Sequence, residues 1–289
     1  MIVLDQIVGI VRRVRSDGVP QLFISPYDEL RQGVGSGQST AWLASCSYPE
    51  AMPDACFSHP RLAQVYDPLD PDRSDLDTYA NLVVEFGAEA VLDVGCGTGE
   101  FIARLVDMEV RALGVDPAAA SLRVAESKLT PGSAELVIGT VSALAGDNAL
   151  RNSFDMATMT ANVAQVFLDD DEWLSTLRTI RRCLRSGGRL VFETRDPADQ
   201  AWERWTKEAT HRTVDLGDLG EVEEWIETTN VEGEFVTFVS PTIFHLDGER
   251  IDSTSTLRFR PNSVLEQTLS EAGFTEVEIH DLPYAPGRG

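Results

Sequence analysis

The architecture of this chain follows from one stretch, Ala90-Val91-Leu92-Asp93-Val94-Gly95-Cys96-Gly97-Thr98-Gly99-Glu100. Its apolar run leads into a turn with alternate glycines, and a helical pattern follows, which predicts a buried strand, a tight turn and a helix. Glycine has no Cβ atom, so the turn is able to adopt positive φ angles and approach a ligand closely. The free amides at the start of the helix point toward the same space. The stretch therefore predicts a pocket built largely from backbone.

A carboxylate ends the next predicted strand, Leu113-Gly114-Val115-Asp116-Pro117. Because carboxyl ends of parallel strands meet at one edge, we expect Asp116 beside the glycine turn. It could accept two hydrogen bonds from a ribose diol, each charge-assisted bond contributing about 1.5–3 kcal/mol. Asp116 could also cap the helix that starts near Pro117, and the two roles are compatible. The GxGxG spacing differs from the GxGxxG of dinucleotide-binding proteins, so the pair predicts a nucleoside pocket.

Strands and helices alternate in the middle of the chain. This predicts an α/β fold with a doubly wound, mostly parallel, Rossmann-like sheet. Ser74 is the predicted cap of the first of these helices, and Gly187-Gly188 is a predicted helix stop. The predicted elements are helix 75–86, strand 90–94, helix 99–108, strand 110–115, helix 118–128, strand 135–139, strand 154–160, helix 170–185 and strand 188–194.

The hydrophobic period changes after the fifth strand. Apolar and polar residues alternate over 221–230, 234–246 and 251–259, with turns at 230–233 and 247–248, which predicts an antiparallel insertion. A helix over 261–272 and a strand over 274–279 follow. Residues 1–58 have a loop-like composition with short strand candidates near 7–14 and 21–24. We interpret them as an extension that either covers the site or is flexible.

Composition excludes several classes of protein. The 289 residues are 43% hydrophobic, typical of a globular chain, and the formal charge of -23 disfavours a nucleic-acid partner. No apolar run approaches the roughly 18 residues of a membrane span, and basic residues follow the first apolar run, so we expect a cytoplasmic protein without a membrane partner. Four cysteines lie far apart without a Cys/His cluster, so no metal site is expected.

The run from Val91 to Gly99, followed by Gly114-Val115-Asp116, resembles the class I S-adenosylmethionine-dependent methyltransferases. The resemblance covers residues 62–280 and implies S-adenosyl-L-methionine as cofactor. It places the turn along the methionine and adenosine, Asp116 on the ribose and Pro117 beside the adenine. The residues after the third strand would edge the adenine, and those ending the fourth strand would face the transferable methyl. The cofactor-binding residues so implied are Asp93, Gly95, Cys96, Gly97, Gly99, Asp116, Pro117, Thr140, Val141, Ala161 and Asn162.

The resemblance also predicts how the chain divides into regions. It predicts an extension over 1–58 and a methyltransferase domain over 59–289, with a core at 75–200, an antiparallel acceptor or lid region at 201–260, and a closing helix and strand at 261–280. Residues 61–77, with Tyr66-Asp67, resemble a lid helix. The family's sheet is of a seven-stranded type, but its final antiparallel strand has no evident segment here. Either that strand is missing or another segment takes its edge position.

Methyl transfer from a sulfonium requires little acid–base catalysis by the protein. In-line displacement depends mainly on alignment, which supplies about 7–11 kcal/mol of barrier lowering. No catalytic residue is assigned; His211 is the best of the histidines as a base, but a surface or core role is favoured. Trp202, Trp205 and Arg195 are expected around the carboxyl ends of the fourth and fifth strands, where ligands of such sheets bind.

We therefore predict an S-adenosylmethionine-dependent methyltransferase that moves a methyl group to a small-molecule acceptor, with a protein side chain as a second class of acceptor. The alternatives are an NAD(P)-dependent oxidoreductase and a non-catalytic nucleoside-binding sensor. The acceptor atom and the oligomeric state do not follow from the sequence.

Overall fold

The computed structural model describes residues 8–15 and 53–283, with side chains over 53–280. The strands are β1 Val8–Arg15, β2 Ala90–Val94, β3 Arg111–Asp116, β4 Glu135–Ile138, β5 Phe154–Met159, β6 Leu184–Arg195, β7 Arg212–Asp215, β8 Glu221–Glu224, β9 Glu227–Glu232, β10 Phe235–Phe244, β11 Glu249–Arg258 and β12 Glu276–Pro283. The helices are α1 Ala55–Ser58, α2 Pro60–Leu69, α3 Asp75–Glu85, α4 Glu100–Asp107, α5 Ala119–Lys128, α6 Asp170–Cys183, α7 Lys207–Thr210 and α8 Asn262–Glu271.

A parallel sheet forms the centre of the molecule, in the order β12-β1-β6-β5-β2-β3-β4. Neighbouring strands pair in parallel throughout. Strands β2 and β5 are buried along their whole length, as expected for central strands covered by helices on both faces. The five strands from β6 to β4 confirm the predicted α/β architecture.

Strand β1 lies between β6 and β12 and pairs in parallel with both. It falls near the strand predicted at 7–14. The described strands of this sheet all pair in parallel, so the family's final antiparallel strand has no counterpart among them. The strand candidate near 21–24 lies outside the described residues. The division of the chain at residue 58 stays a prediction, since β1 and α1 both precede it.

The two predicted helix signals differ in outcome. Ser74 is the N-cap residue of α3, as predicted, but its side chain makes no capping hydrogen bond, and its amide donates to the Asp72 carboxylate at 3.0 Å. The predicted glycine stop is wrong. Helix α6 ends at Cys183, before the predicted glycine stop, and β6 already begins at Leu184. Leu184 is fully buried opposite Phe154, so pairing within the sheet overrides the local glycine signal.

The second sheet is antiparallel, in the order β11-β10-β8-β7, and β9 also pairs with β10. It confirms the predicted insertion after the fifth strand of the α/β core. Helix α2 packs on this sheet through Leu62, Val65 and Leu69, which contact Val222 and Phe244 in one apolar cluster. The second sheet therefore holds α2 in place.

The order in which the chain adds strands to the sheet reverses between β2 and β5, which are parallel neighbours. Strands β3 and β4 extend the sheet on one side of β2, and β5 and β6 lie on the other. Open α/β sheets bind ligands outside the carboxyl ends of the strands at such a switch point. Helix α6 begins after Asp169, whose carboxylate caps it by accepting the Glu172 amide at 2.9 Å.

Candidate active site

The glycine turn after β2 is shaped by close packing on two sides. Gly95, Gly97 and Gly99 have φ angles of 74°, 52° and 78°. A Cβ atom on Gly95 would lie 2.6 Å from Val163, and one on Gly99 would lie 2.6 Å from Ala125. A Cβ atom on Gly97 would meet nothing within 4 Å. Packing therefore demands glycine at the two outer positions, whereas the middle one borders open space that a ligand could fill.

Asp116 ties the glycine turn to the end of β3. Its Oδ2 accepts the Gly97 amide at 2.9 Å, and its Oδ1 accepts the Ala118 amide at 2.8 Å. Burial raises the pKa of this carboxyl above its usual value. Each carboxylate oxygen keeps a further lone pair, so ribose hydroxyls could still be accepted. The predicted capping role is wrong: the N-cap of α5 is Ala118, and no side chain caps this helix, so Asp116 only supports the turn that precedes it. The predicted ribose role stays a prediction.

Asp93 is a fully buried carboxylate with one satisfied oxygen. The Thr158 hydroxyl donates to Oδ1 at 2.7 Å, and Oδ2 has no hydrogen-bond partner among the described residues. Burial raises the pKa of Asp93 to about 7, while the charge of Arg73 favours its ionised form. An unsatisfied buried group costs about 1–3 kcal/mol, and more when it is charged. An ammonium or N–H donor at Oδ2 would remove that cost, which fits the amino-acid end of the implied cofactor.

The residues after β5 are held in an unusual conformation. Ala161 and Asn162 have φ angles of 53° and 61°, a left-handed conformation that costs of order 1–3 kcal/mol. Burial raises the pKa of Glu193, whereas the backbone amides of Ala161 and Asn162 lower it, so this buried carboxylate lies near the turn. The Asn162 Oδ1 atom is buried and has no partner among the described residues. The strained turn therefore presents an unused acceptor at the β5 end of the crevice.

The remaining predicted cofactor residues differ in which of their backbone or side-chain groups a ligand could contact. Thr140 follows Gly139, whose amide donates to the Asp116 carbonyl at 3.0 Å, so it lies at the same edge of the sheet. Val141 is 2% exposed and belongs to the hydrophobic core, which leaves its backbone for a ligand. Cys96 is likewise buried, and its Sγ would lie 2.7 Å from a Cβ atom on Gly114. Pro117 is half-buried.

Helix α2 is fastened directly to the glycine turn. The Asp67 carboxylate accepts the Thr98 hydroxyl at 2.7 Å and the Lys128 ammonium at 2.7 Å. Lys128 also contacts Glu100 of α4. The resemblance placed Tyr66-Asp67 in a lid, but no spacing in the sequence identified Thr98 or Lys128 as its partners. Burial raises the pKa of Tyr66 to about 12.

At the end of β6, Arg195 reaches toward the turn after β5. Its Nη1 donates to Oε1 of Gln165 at 2.9 Å, and its guanidinium lies 5.3 Å from the centre of the Trp205 ring. Trp205 in turn packs edge-on against Phe238 of β10, with ring centres 5.1 Å apart. Sequence reasoning placed Arg195 and Trp205 in this area, whereas it missed Gln165 and Glu193.

His211 lies on the surface of the second sheet. Its Nε2 is 3.0 Å from the Glu223 carboxylate, and the other oxygen of Glu223 is 3.2 Å from His245. This pairing agrees with the surface role favoured for His211. An open cavity of about 620 Å³ lies nearby, beside Trp202, Trp205 and Lys207.

Residues 8–15 and 53–283, the part of the chain that the structure describes, hold no group of three or more His, Cys, Asp or Glu side chains arranged to bind a metal ion. Among the same residues, no helix combines the length and apolar character needed to cross a membrane.

Comparison with known proteins identifies the central segment. Residues 91–188 match a family model described as a methyltransferase domain. The chain is 33% identical over 127 residues to the cypemycin N-terminal methyltransferase of a Streptomyces species, covering 44% of this chain and 49% of that protein. The chain therefore spans about half the length of that curated relative.

Solved structures share the fold at low sequence identity. The sugar N-methyltransferase of a Streptoalloteichus species has a TM-score of 0.60 and 20% identity, over 82% of this chain and 91% of that one. The amino pentose methyltransferase of Micromonospora echinaspora, solved with S-adenosylmethionine bound, has a TM-score of 0.57 and 20% identity, over 73% and 88% of the two chains. These likenesses establish the fold.

Proposed function

We propose that this chain, whose residues 91–188 match a methyltransferase domain, is a class I S-adenosylmethionine-dependent methyltransferase that methylates a small molecule in the crevice at the carboxyl ends of β2, β5 and β6. The observation that carries the proposal is a pair of buried carboxylates on the adjacent strands β2 and β3: Asp93, whose Oδ2 is unsatisfied among the described residues, and Asp116, which accepts the Gly97 amide of the glycine turn. One carboxylate suits an ammonium and the other suits a ribose diol.

When bound, S-adenosylmethionine supplies an electrophilic methyl group on a sulfonium. The protein's task is then to bind, align and exclude water. Oδ2 of Asp93 would hold the ammonium of the amino-acid end, and Asp116 would hold the ribose hydroxyls. The backbone of the glycine turn would line the cofactor between them, and Thr140 with the Val141 backbone would edge the adenine.

The acceptor would occupy the crevice beside Asn162. Its Oδ1, which is unused among the described residues, could accept a hydrogen bond from an N–H or O–H group and so orient the lone pair of the acceptor atom. Helix α2, fastened by Asp67, would cover the opposite side. His211 is directed to Glu223 on the surface of the second sheet, so it is not assigned as a base.

The proposal is tested first by binding. Isothermal titration of the purified chain with S-adenosylhomocysteine should show one site, whereas titration with NAD(H) or NADP(H) should show none. Tight nicotinamide binding without S-adenosylhomocysteine binding would establish the oxidoreductase alternative instead.

Methyl transfer is tested separately. Radiolabelled S-adenosylmethionine is incubated with the chain and with cell extract divided into a low-mass and a protein fraction. Label in the low-mass fraction supports a small-molecule acceptor, and label in protein or peptide alone would move the proposal to a macromolecular acceptor. Cofactor binding without transfer to either fraction would favour the sensor alternative.

A further inference from the structure

The contact between Gln165 and Arg195 dictates which end of the Gln165 amide faces the guanidinium. A guanidinium has donors and no acceptor, so only the amide oxygen is able to bond to it. The observed contact joins Arg195 Nη1 to Gln165 Oε1 at 2.9 Å. The amide nitrogen, Nε2, is therefore turned away from Arg195.

Gln165 Nε2 is left with unused donors in a buried place. The residue is 1% exposed, and Nε2 has no hydrogen-bond partner among the described residues. Leaving such a donor unsatisfied is unfavourable, so its persistence beside the carboxyl ends of β5 and β6 points to a ligand that supplies an acceptor.

We propose that Gln165 and Arg195 form a carboxylate-binding site for the methyl acceptor, so that the acceptor is a small molecule bearing a carboxylate. The inference rests on the proposed function, since it assigns the substrate class of the same crevice. One carboxylate oxygen would accept from Gln165 Nε2 and the other from the guanidinium of Arg195.

The placement of the pair supports an acceptor ligand rather than the cofactor. Gln165 ends the short 3-10 helix Val163–Gln165, which begins after Asn162 at the end of β5. Arg195 is the last residue of β6. Both therefore lie on the β5–β6 side of the crevice, while the glycine turn and Asp116 lie on the β2–β3 side.

The local charges favour a carboxylate at this position. Burial lowers the pKa of Arg195 to about 10, so the guanidinium is still protonated at neutral pH and gains from an added anion. The charge of the neighbouring Glu193 opposes this lowering of the Arg195 pKa, and Glu193 also lies near the amides of Ala161 and Asn162. The formal charge of -23 repels anions in general, so an anionic acceptor needs a specific cation of this kind.

The surroundings also favour a planar group. The Trp205 ring lies beneath the guanidinium and restricts its orientation. A guanidinium in a fixed plane matches the two oxygens of a carboxylate, and the amide N–H₂ of Gln165 adds a second donor beside it.

The test uses the full chain saturated with S-adenosylhomocysteine. Calorimetry measures the binding of benzoate, of benzamide (its neutral counterpart of similar shape) and of inorganic phosphate. We expect benzoate to bind at least tenfold more tightly than benzamide or phosphate. Equal binding of benzoate and benzamide, or preference for phosphate, would overturn the carboxylate site.

The decisive variant is Gln165→Glu. Its carboxylate keeps an oxygen toward Arg195 and forms an ion pair, so the fold should hold, but it replaces the free donor with a negative charge. Benzoate affinity should fall at least tenfold, while the melting temperature and S-adenosylhomocysteine affinity stay as in the parent. Gln267→Glu, on the exposed face of α8, makes the same charge change and should leave benzoate binding unaltered.

The outcomes separate the two proposals. Failure of the parent chain to bind S-adenosylhomocysteine would refute the proposed function. Normal S-adenosylhomocysteine binding with undiminished benzoate binding in Gln165→Glu would overturn only the carboxylate site. The uncharged variant Gln165→Leu provides a second reading, since it removes the donor without adding charge and should also lose benzoate at least several-fold.

Discussion

The amide of Gly97 donates to Oδ2 of Asp116 across 2.9 Å, so the glycine turn and the carboxylate that ends β3 form one rigid unit. The other oxygen of Asp116 accepts from Ala118 at 2.8 Å. The carboxylate is therefore positioned by the backbone before any ligand arrives, and preorganisation of this kind lowers the entropic cost of binding.

We expect Asp116→Ala to weaken S-adenosylhomocysteine binding about tenfold or more, since it removes charge-assisted hydrogen bonds to the ribose. It should also destabilise the chain by about 1–3 kcal/mol for each amide left unsatisfied. Titration calorimetry and urea unfolding measure the two effects. Asp107→Ala, on the exposed side of α4, is the matched control. An unchanged dissociation constant in Asp116→Ala would contradict the ribose assignment.

Asp93 should make stability fall as pH rises. Its pKa is raised to about 7 in the folded chain, whereas an unfolded aspartate titrates near about 3.9. The folded state thus binds the proton more tightly, and stability present at low pH is lost as pH rises from about 4 through about 7. Relative to Asp93→Asn, the parent should lose on the order of 2–4 kcal/mol between these limits. Urea unfolding of the ligand-free chain at several pH values measures the difference.

Asn at position 93 still accepts the Thr158 hydroxyl, so the variant should fold. The exposed Asp107→Asn serves as control and should follow the parent across the same pH range. Parallel pH profiles for the parent and Asp93→Asn would show that Asp93 ionises normally and would sink this prediction.

Alanine substitutions in the glycine turn should distinguish positions where glycine is needed for packing from positions where it is needed for ligand contact. Gly95→Ala places a Cβ atom 2.6 Å from Val163 and should destabilise the chain, with partial rescue by Val163→Ala. Gly97→Ala meets no protein atom within 4 Å, so its cost is the left-handed φ angle, of order 1 kcal/mol. If the cofactor fills that space, Gly97→Ala should nevertheless reduce S-adenosylhomocysteine affinity at least tenfold. Equal affinities of Gly97→Ala and the parent would place the cofactor elsewhere.

Loss of the hydrogen bonds that hold α2 against the glycine turn should speed the release of S-adenosylhomocysteine. Asp67→Asn weakens the contacts with Thr98 and Lys128, which hold α2 against the glycine turn. We expect the dissociation rate of S-adenosylhomocysteine to rise several-fold in stopped-flow experiments, with hydrogen exchange increased over residues 60–69. Asp77→Asn, which breaks an exposed pair with Arg104, should leave both measurements near the parent. No change in the release rate would show that α2 does not cover the bound ligand.

The parts of the site that could be predicted are those whose residues lie close together in the sequence, within successive strand–turn–helix units. Asp93, the glycine turn and Asp116 occur in two successive strand–turn–helix segments, where spacing alone brings them to the same edge. Thr158 could not be paired with Asp93 in advance, because the two are 65 residues apart and meet only once β5 lies beside β2.

Helix ends were the weaker part of the prediction. The glycines at 187–188 signalled a stop, yet Leu184 already belongs to β6, because burial opposite Phe154 outweighs the local preference. The hydrophobic pattern also does not predict that β1 lies between β6 and β12, since strand order depends on pairing between distant segments.

Local pattern alone established the α/β class, the glycine turn and the carboxylates on either side of it, because hydrophobic period and glycine placement act over a few residues. Packing in three dimensions decided the rest: which strand pairs with β6, how Asp67 reaches Thr98, and how Gln165 and Arg195 meet. Such contacts join residues that are remote in the chain, and their energies exist only after the layers have packed together.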